Sequence, residues 1–377
     1  MRIFLDDQAF HIETRGGVSR HMALLARSLS ECPDGPEVHL FAGWCHNRFA
    51  LELPRTPRLH VYRLPRPKGL RITGLAKGIS GLWRRRTVAS LLGRPAPLVY
   101  HGSFYPLDPV IARRAALTVC TIHDMIPEMR GMRGRWADRY RREKEAATRL
   151  ADRVVSISES TSADLLRLMP WTAGKTHTIP NSTDLFATRS SQIDPVYPKK
   201  HYFMMVGRRD DYKNGGMALR AFARLAQDDK RLGLVLCGGK PVRAEEQLLD
   251  QLGIADRVKH IAPGDSWLRS HYEHAVGLLY PSRHEGFGLP VLEAMLCGCP
   301  VVTTPLSSLP EVGGEAALYA DADDVDAWAR CMRELMHPER HALLVRRGLE
   351  RAQRFRPEVQ ADAVLGLYRA ALAARRA

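Results

Sequence analysis

At 377 residues the chain exceeds one typical domain and has room for two. With 45% apolar and 26% charged residues it is globular in composition, which excludes disordered and collagen-like chains. The net charge of +15 is uneven: residues 1–180 carry 29 basic and 16 acidic side chains, residues 181–377 carry 27 and 25, so the positive field belongs to the first half.

Taken in chain order, the first apolar run, Arg2–Asp6, starts at the N-terminus with charges rather than a secretory leader. No run is long enough to span a bilayer, so the expected location is cytoplasmic, at most peripheral on the inner membrane face. Gly16 and Gly17 separate this strand from a helix expected over Val18–Ser30, where small residues let backbone amides approach a phosphate or sugar oxygen; a plain turn is the alternative. Strands follow at Glu37–Ala42 and Leu59–Leu64. From Leu53 to Arg94 the chain holds eleven Lys and Arg and no acid, interleaved with Leu70, Ile72, Leu75, Ile79, Leu82 and Trp83. Such a stretch suits an anionic membrane surface or a merely solvated face. Nucleic acid is not expected as a partner, since zinc-finger spacing, an RNA-recognition aromatic motif and a basic region continuous with heptads are all missing from the sequence.

Further strands at Pro97–His101, Ala116–Ile122 and Arg153–Ser158, with a helix over Trp136–Leu150, complete a first α/β unit. Pro180, Pro195 and Pro198 break the pattern across Asn181–Lys200. A second alternating series has strands at Tyr202–Val206, Leu232–Cys237, Val258–Ala262, Val276–Tyr280, Pro300–Thr303 and Ala317–Tyr319, and the chain is helical from Asp323 onward. The expectation is two Rossmann-like domains, 1–185 and 198–356, with 357–377 packing back on the first. The seven cysteines are scattered without a CxxC pair, so they are expected as small buried hydrophobes, not disulfides or zinc ligands.

The most informative segment runs from Pro281 to Met295. It leaves a buried strand, passes Glu285-Gly286-Phe287-Gly288-Leu289 and enters a helix with Pro290 in its first turn. Backbone N–H groups from Gly286 to Leu289 and the positive helix end suit a phosphate. Glu285 and Glu293, eight positions apart, can reach different parts of one ligand, such as a ribose diol and a sugar ring. Arg208 and Lys213 follow the first strand of the second domain, at the sheet edge where α/β folds bind ligands, and two cations there can neutralise a diphosphate without a metal. Asp210 and Asp211 compete for Arg208. Asp321, Asp323, Asp324 and Asp326 resemble a metal-binding D-x-D only superficially and read as helix-start acids. No metal and no cofactor are expected.

These residues resemble glycosyltransferase family 4. Glu285 to Glu293 looks like its E-x7-E signature, continued by Gly298-Cys299-Pro300-Val301-Val302 and Ser307-Ser308-Leu309-Pro310-Glu311-Val312. Gly16-Gly17-Val18-Ser19-Arg20 is similar to the glycine turn of a subgroup that builds bacterial surface polysaccharides, often with mannose. Thr121-Ile122-His123-Asp124 looks like the strand end bearing the family histidine, and Gly207-Arg208 through Lys213-Asn214 like its diphosphate clamp. The resemblance implies the GT-B fold, two Rossmann-like domains facing each other across a cleft, with the C-terminal helix crossing back. It implies a retaining, metal-independent transfer from a nucleoside diphosphate sugar to a glycan or lipid-diphosphate-linked acceptor. His123 and Glu285 would contact the donor sugar, and Glu293 the ribose. Gly16, Gly17, Gly286, Phe287, Gly288 and Leu289 would line the donor. His101, Tyr105 and Asp124 are weaker acceptor-side candidates. Two other classes stay open: a sugar-nucleotide epimerase of the same architecture, and a non-catalytic polysaccharide- or membrane-binding scaffold. The absence of G-x-G-x-x-G after the first strand argues against a dinucleotide-dependent oxidoreductase.

Overall fold

The computed structural model describes residues 1–11, 16–54, 56–64, 74–185, 197–198, 201–262 and 264–375. They form two compact units, Met1–Ser182 with Pro357–Ala377, and Thr183–Arg356. Much of the Asn181–Lys200 junction and the 65–73 part of the basic stretch, with Leu70 and Ile72, lie outside the described residues, as does the Leu75 side chain.

The first unit is built on strands β1 (Arg2–Leu5), β2 (Glu37–Gly43), β3 (Leu59–Arg63), β4 (Leu98–Gly102), β5 (Leu117–Ile122), β6 (Arg153–Ser156) and β7 (Thr176–Thr178). They pair in parallel in the order β3-β2-β1-β4-β5-β6-β7. Alternate residues serve opposite faces, the period of an extended chain. Ile3 and Leu5 join the core under the helix Gly17–Glu31, while Phe4 packs with Tyr100, Ile122 and Val154 on the other face. Helices on both faces are why these strands read as unbroken apolar runs. The final helix, Pro357–Ala374, closes the first face with Ala361, Val364, Leu365, Tyr368 and Ala371, an i, i+3, i+4, i+7 stripe laid against Gly17–Glu31. Each of its large apolar side chains contributes roughly 1.5–3 kcal/mol by leaving water.

The second unit holds β8 (Tyr202–Val206), β9 (Gly233–Cys237), β10 (Val258–Ile261), β11 (Gly277–Tyr280), β12 (Val301–Thr303) and β13 (Ala317–Tyr319), all parallel in the order β10-β9-β8-β11-β12-β13. In both sheets the strand order reverses beside the first strand, between β1 and β4 and between β8 and β11. Such a reversal opens a crevice beyond the carboxyl ends of the strands, and it positions each site described below.

Two sequence expectations change. β7 was not foreseen: Thr176-His177-Thr178 is a half-buried edge strand with no apolar run to announce it. The basic segment is not a uniformly solvated face. In the helix Gly74–Leu92, Arg84 turns inward to Asp7 (2.6 Å) and Asp108 (3.3 Å), and Arg85 also pairs with Asp108 (2.9 Å). What that helix does expose is Ile79, Leu82 and Trp83, with the Arg86 guanidinium over the Trp83 ring at 5.8 Å. Among the described residues no helix is long and apolar enough to cross a membrane. All seven cysteines are free, and five of them, Cys32, Cys120, Cys237, Cys297 and Cys299, are buried, as small hydrophobes are.

Candidate active site

In the second unit the reversal between β8 and β11 brings together residues 72 positions apart. After β8 the chain turns through a short 3-10 segment, Asp211–Lys213, and after β11 it enters the Pro281–Gly288 loop. Lys213 Nζ lies 2.6 Å from Glu285 Oε1, and the Tyr280 hydroxyl donates to the same oxygen at 2.7 Å. Glu285 is thus held by two donors on one oxygen, with both members of its ion pair partly shielded from water. Burial and the neighbouring carboxylate push the Tyr280 hydroxyl well above its usual pKa, so it stays a donor.

The loop is clamped from the segment after β12. Ser307 Oγ accepts from the Glu285 N–H (2.9 Å), while Ser308 Oγ bridges the carbonyls of Glu285 (3.0 Å) and Phe287 (2.9 Å) and Thr304 Oγ1 donates to Ser282 O (2.6 Å). That is the structural work of the Ser307-Ser308 motif. Gly288 then caps the helix Leu289–Leu296 with φ of 101°, a conformation that glycine adopts without strain, and no side chain caps that helix end. An uncapped positive helix terminus beside Lys213 and Glu285 can take an anion. Glu293 is buried one turn into this helix, and the Tyr272 hydroxyl reaches its Oε2 at 3.4 Å.

Two expected site residues of this unit are placed differently. Arg208 is exposed and its guanidinium forks onto Asp210 (2.8 and 3.1 Å), so Asp210 is the acid that claims it and raises its pKa. Phe287 points inward against Phe355, ring centroids 5.6 Å apart, so only its backbone can face a ligand. Arg209 is the structural arginine: it grips Glu245 with two nitrogens (2.6 and 3.0 Å) and the carbonyls of Gly207 and Gly239, pinning the glycine turns after β8 and β9. Asp324 caps the helix Val325–Leu335, as a helix-start acid does, whereas Asp323 pairs with Arg283 of the Glu285 loop.

In the first unit, Gly16 opens the helix Gly17–Glu31 with an extended backbone and no side-chain cap. His123 directly follows β5 and is 5% exposed; burial lowers its pKa to about 4, the Ser103 backbone opposing part of that shift, and its Nε2 has no partner. Phe104 stacks on its ring at 6.0 Å. His101 and Tyr105 do not line a surface. His101 is fully buried in β4, its nitrogens taken by Tyr368 (2.5 Å) and Thr121 (2.7 Å), and the Tyr105 hydroxyl bonds the Thr121 carbonyl at 3.2 Å. Asp124 is half-buried and caps the turn at Ile126 (3.1 Å), while Lys144 holds its carbonyl (2.8 Å).

Sequence reasoning passed over Tyr280, Tyr272 and Arg209. The signal for Tyr280 was its place as the last residue of a buried strand directly before the loop. For a metal, the candidate group among the described residues is Glu37, His39 and His60. The two imidazoles stack at 4.8 Å and 16°, so their in-plane lone pairs run side by side and do not converge; Tyr62 and Arg94 engage His39 and Glu37.

Two family models match and together cover most of the chain: Glycosyltransferase Family 4 over residues 15–185 and Glycosyl transferases group 1 over residues 187–356. An O-antigen chain mannosyltransferase B of Escherichia coli is 30% identical over 275 residues, 68% of this chain and 70% of that protein. A D-inositol 3-phosphate glycosyltransferase of Saccharomonospora viridis is 37% identical over 187 residues, 45% of this chain and 43% of that protein, so this second match spans less than half of the relative. Sucrose-phosphate synthase from Thermosynechococcus elongatus has the same fold at a TM-score of 0.75 and 23% identity, covering 99% of this chain and 100% of that one. WaaG, a glycosyltransferase involved in lipopolysaccharide biosynthesis, superimposes at 0.67 with 16% identity, over 97% of this chain and 100% of its own. The architecture is GT-B.

Proposed function

The chain belongs to glycosyltransferase family 4, and from that premise we propose that it moves a hexosyl residue, mannose from GDP-mannose, onto a glycan or lipid-diphosphate-linked acceptor during surface polysaccharide synthesis. The observation that carries this reading is the Lys213–Glu285–Tyr280 cluster beside the uncapped helix at Leu289. A diphosphate at that helix end draws Lys213 away from Glu285, and Tyr280 keeps the freed carboxylate in place to accept from donor-sugar hydroxyls. Glu293 accepts from the ribose. Arg208 adds a second cation once the diphosphate outbids Asp210, an exchange that costs little because the Arg208–Asp210 pair is exposed.

Transfer proceeds with retention and without a metal. The bond from the anomeric carbon to the phosphate oxygen breaks, the acceptor oxygen bonds to the same face, and the departing phosphate oxygen takes the acceptor proton. Positioning and charge stabilisation at the leaving group supply the catalysis. Neutral His123 contacts the sugar and removes no proton, in keeping with its lowered pKa. Mannose is favoured by the Escherichia coli relative, whose name is that of a mannosyltransferase.

A thermal-shift screen against UDP, GDP, dTDP, ADP and CMP and their sugar conjugates tests the donor, because ligands of the native state raise its melting temperature. The expected result is a GDP-specific shift that Glu293→Ala and Lys213→Ala diminish, with loss of transfer. A shift with UDP alone overturns mannose, and no shift with any nucleotide favours the scaffold class. The exposed Ile79, Leu82 and Trp83 beside Arg86 support docking on an anionic inner membrane face. Equal sedimentation with anionic and neutral vesicles would refute that part.

A further inference from the structure

The helix Arg135–Leu150 of the first unit carries Trp136, Tyr140 and Lys144 at i, i+4 and i+8, so the three lie along one side of it. The stripe runs from solvent to core. Trp136 is 65% exposed, Tyr140 is half-buried, and Lys144 is fully buried on Glu128 (2.9 Å) and the Asp124 carbonyl (2.8 Å). Tyr140 is fixed by its neighbours: the Lys144 ammonium lies 4.5 Å from its centroid, and the rings of Phe104 and Tyr105 stand 5.7 and 5.6 Å away. Trp136 stacks on Tyr140 at 5.3 Å and 20°. One face of the indole is thus used on a fixed ring, and its exposure lies on the other face and the rim. Among the described residues no other ring and no cation sits on Trp136, and its indole N–H has no protein acceptor. Four rings in succession, Trp136, Tyr140, Phe104 and His123, join this open face to the end of β5, neighbouring centroids being 5.3, 5.7 and 6.0 Å apart. All four belong to the first unit, so the path owes nothing to the second.

The surroundings of the open face decide what suits it. Insertion into a bilayer grows with the apolar area buried, and this ring is alone: between Val110 and Leu166 no other described large apolar side chain is exposed, whereas the helix Gly74–Leu92 exposes Ile79, Leu82 and Trp83 together. Beside Trp136, one turn along the helix, Arg139 pairs with Glu143 at 2.8 Å, a partly exposed couple that offers both a donor and an acceptor. A flat apolar face with hydrogen-bonding groups at its rim matches a pyranose ring. Axial C–H groups give such a ring an apolar, slightly positive face, its hydroxyls stand at the edge, and the face of an aromatic ring is negative. A bare phosphate or carboxylate has no face to lay on an indole.

We propose that Trp136 is a platform for the acceptor, its open face carrying one sugar ring of an oligosaccharide chain. This rests on the transferase reading above and deepens it: the acceptor is a chain of sugars and not a single sugar on its carrier. Tyr140 and Phe104 stand between Trp136 and His123, so the ring on Trp136 is a sugar further along the chain than the one that receives the transfer. Trp136 is a specificity residue and takes no part in bond making.

Because Trp136 is mostly exposed, Trp136→Ala and Trp136→Phe should melt close to the parent. The probes are immobilised oligosaccharides, neutral and acidic, each series running from single sugars to longer chains. The parent is expected to bind chains and not single sugars, Trp136→Ala to lose about tenfold or more in affinity, and Trp136→Phe, which keeps a flat face, to stay within a few-fold. With a bound chain as acceptor and GDP-mannose as donor, the loss should appear in acceptor KM and not in kcat. Equal affinity in the parent and Trp136→Ala, single sugars bound as tightly as chains, or no binding by the parent would overturn the proposal. So would a Trp136→Ala protein that binds chains as before but no longer sediments with anionic vesicles, which would make the ring a membrane contact. UDP and GDP should shift the melting of all three proteins alike. If neither shifts any of them while chain binding still depends on Trp136, the transferase reading fails and the platform survives it as the site of a glycan-binding scaffold.

Discussion

Before any diphosphate arrives, Lys213 already neutralises Glu285 at 2.6 Å, so donor binding is an exchange of partners and not the filling of a vacant cation site. Such an exchange needs something to hold Glu285 when Lys213 leaves, and Tyr280 is placed to do so. Tyr280→Phe keeps the buried ring and removes one hydrogen bond to a charged group, costing about 1.5–3 kcal/mol in stability or in transition-state fit. The expected readout is a fall of about tenfold or more in kcat with little change in nucleotide affinity; unchanged kcat would show that Lys213 alone positions the carboxylate. Gly288→Ala strikes the same site through the backbone. At φ of 101° a side chain is strained, and the new Cβ would lie 2.8 Å from Leu309 Cδ2, so both stability and donor binding should fall, measured by urea unfolding and nucleotide titration.

At the level of elements, the strands were legible because parallel strands covered on both faces are written as continuous apolar runs, and Tyr202–Val206 and Ala317–Tyr319 carry the same bounds in sequence and structure. Thr176–Thr178 was not, since a three-residue edge strand of Thr and His carries no such run. The glycine-rich loop at Glu285 announced itself through local order, but its meeting with Lys213 depends on β8 pairing with β11, which no local pattern encodes. For the same reason His101 was misjudged as lining a surface: its partner Tyr368 stands 267 residues away on the last helix. Tyr368→Phe leaves a buried imidazole nitrogen unpaired, and about 1–3 kcal/mol of stability should be lost in chemical denaturation. An unchanged midpoint would mean that His101 finds another partner.

For the molecule as a whole, acid stability follows from where its neutral histidines sit. Burial lowers His21 and His101 to about 3 and His123 to about 4, all in the first unit. Unfolded, each titrates near 6.5. Their contribution is complete above that pH, declines as the unfolded chain gains protons that the folded one refuses, and levels off once the folded pKa values are passed. His39 and His177, in the same unit and also lowered by burial, act in the same direction; Asp6, whose pKa burial raises, works against them as a single group. Hydrogen exchange followed from pH 7 to 4.5 should therefore show the first unit opening ahead of the second. Equal protection of both would contradict this.

The first unit is assembled from two stretches of chain, Met1–Ser182 and Pro357–Ala377, with the whole second unit threaded between them. A chain emerging from the ribosome exposes Thr183–Arg356 as one uninterrupted length that can complete its own sheet, while the older N-terminal half waits, one apolar face uncovered, for Ala361, Val364, Leu365, Tyr368 and Ala371. The half made first is the last to be sealed. Until Pro357–Ala377 has been made and has docked, that apolar face stays open to chaperones and proteases, even when the second unit has completed its own sheet.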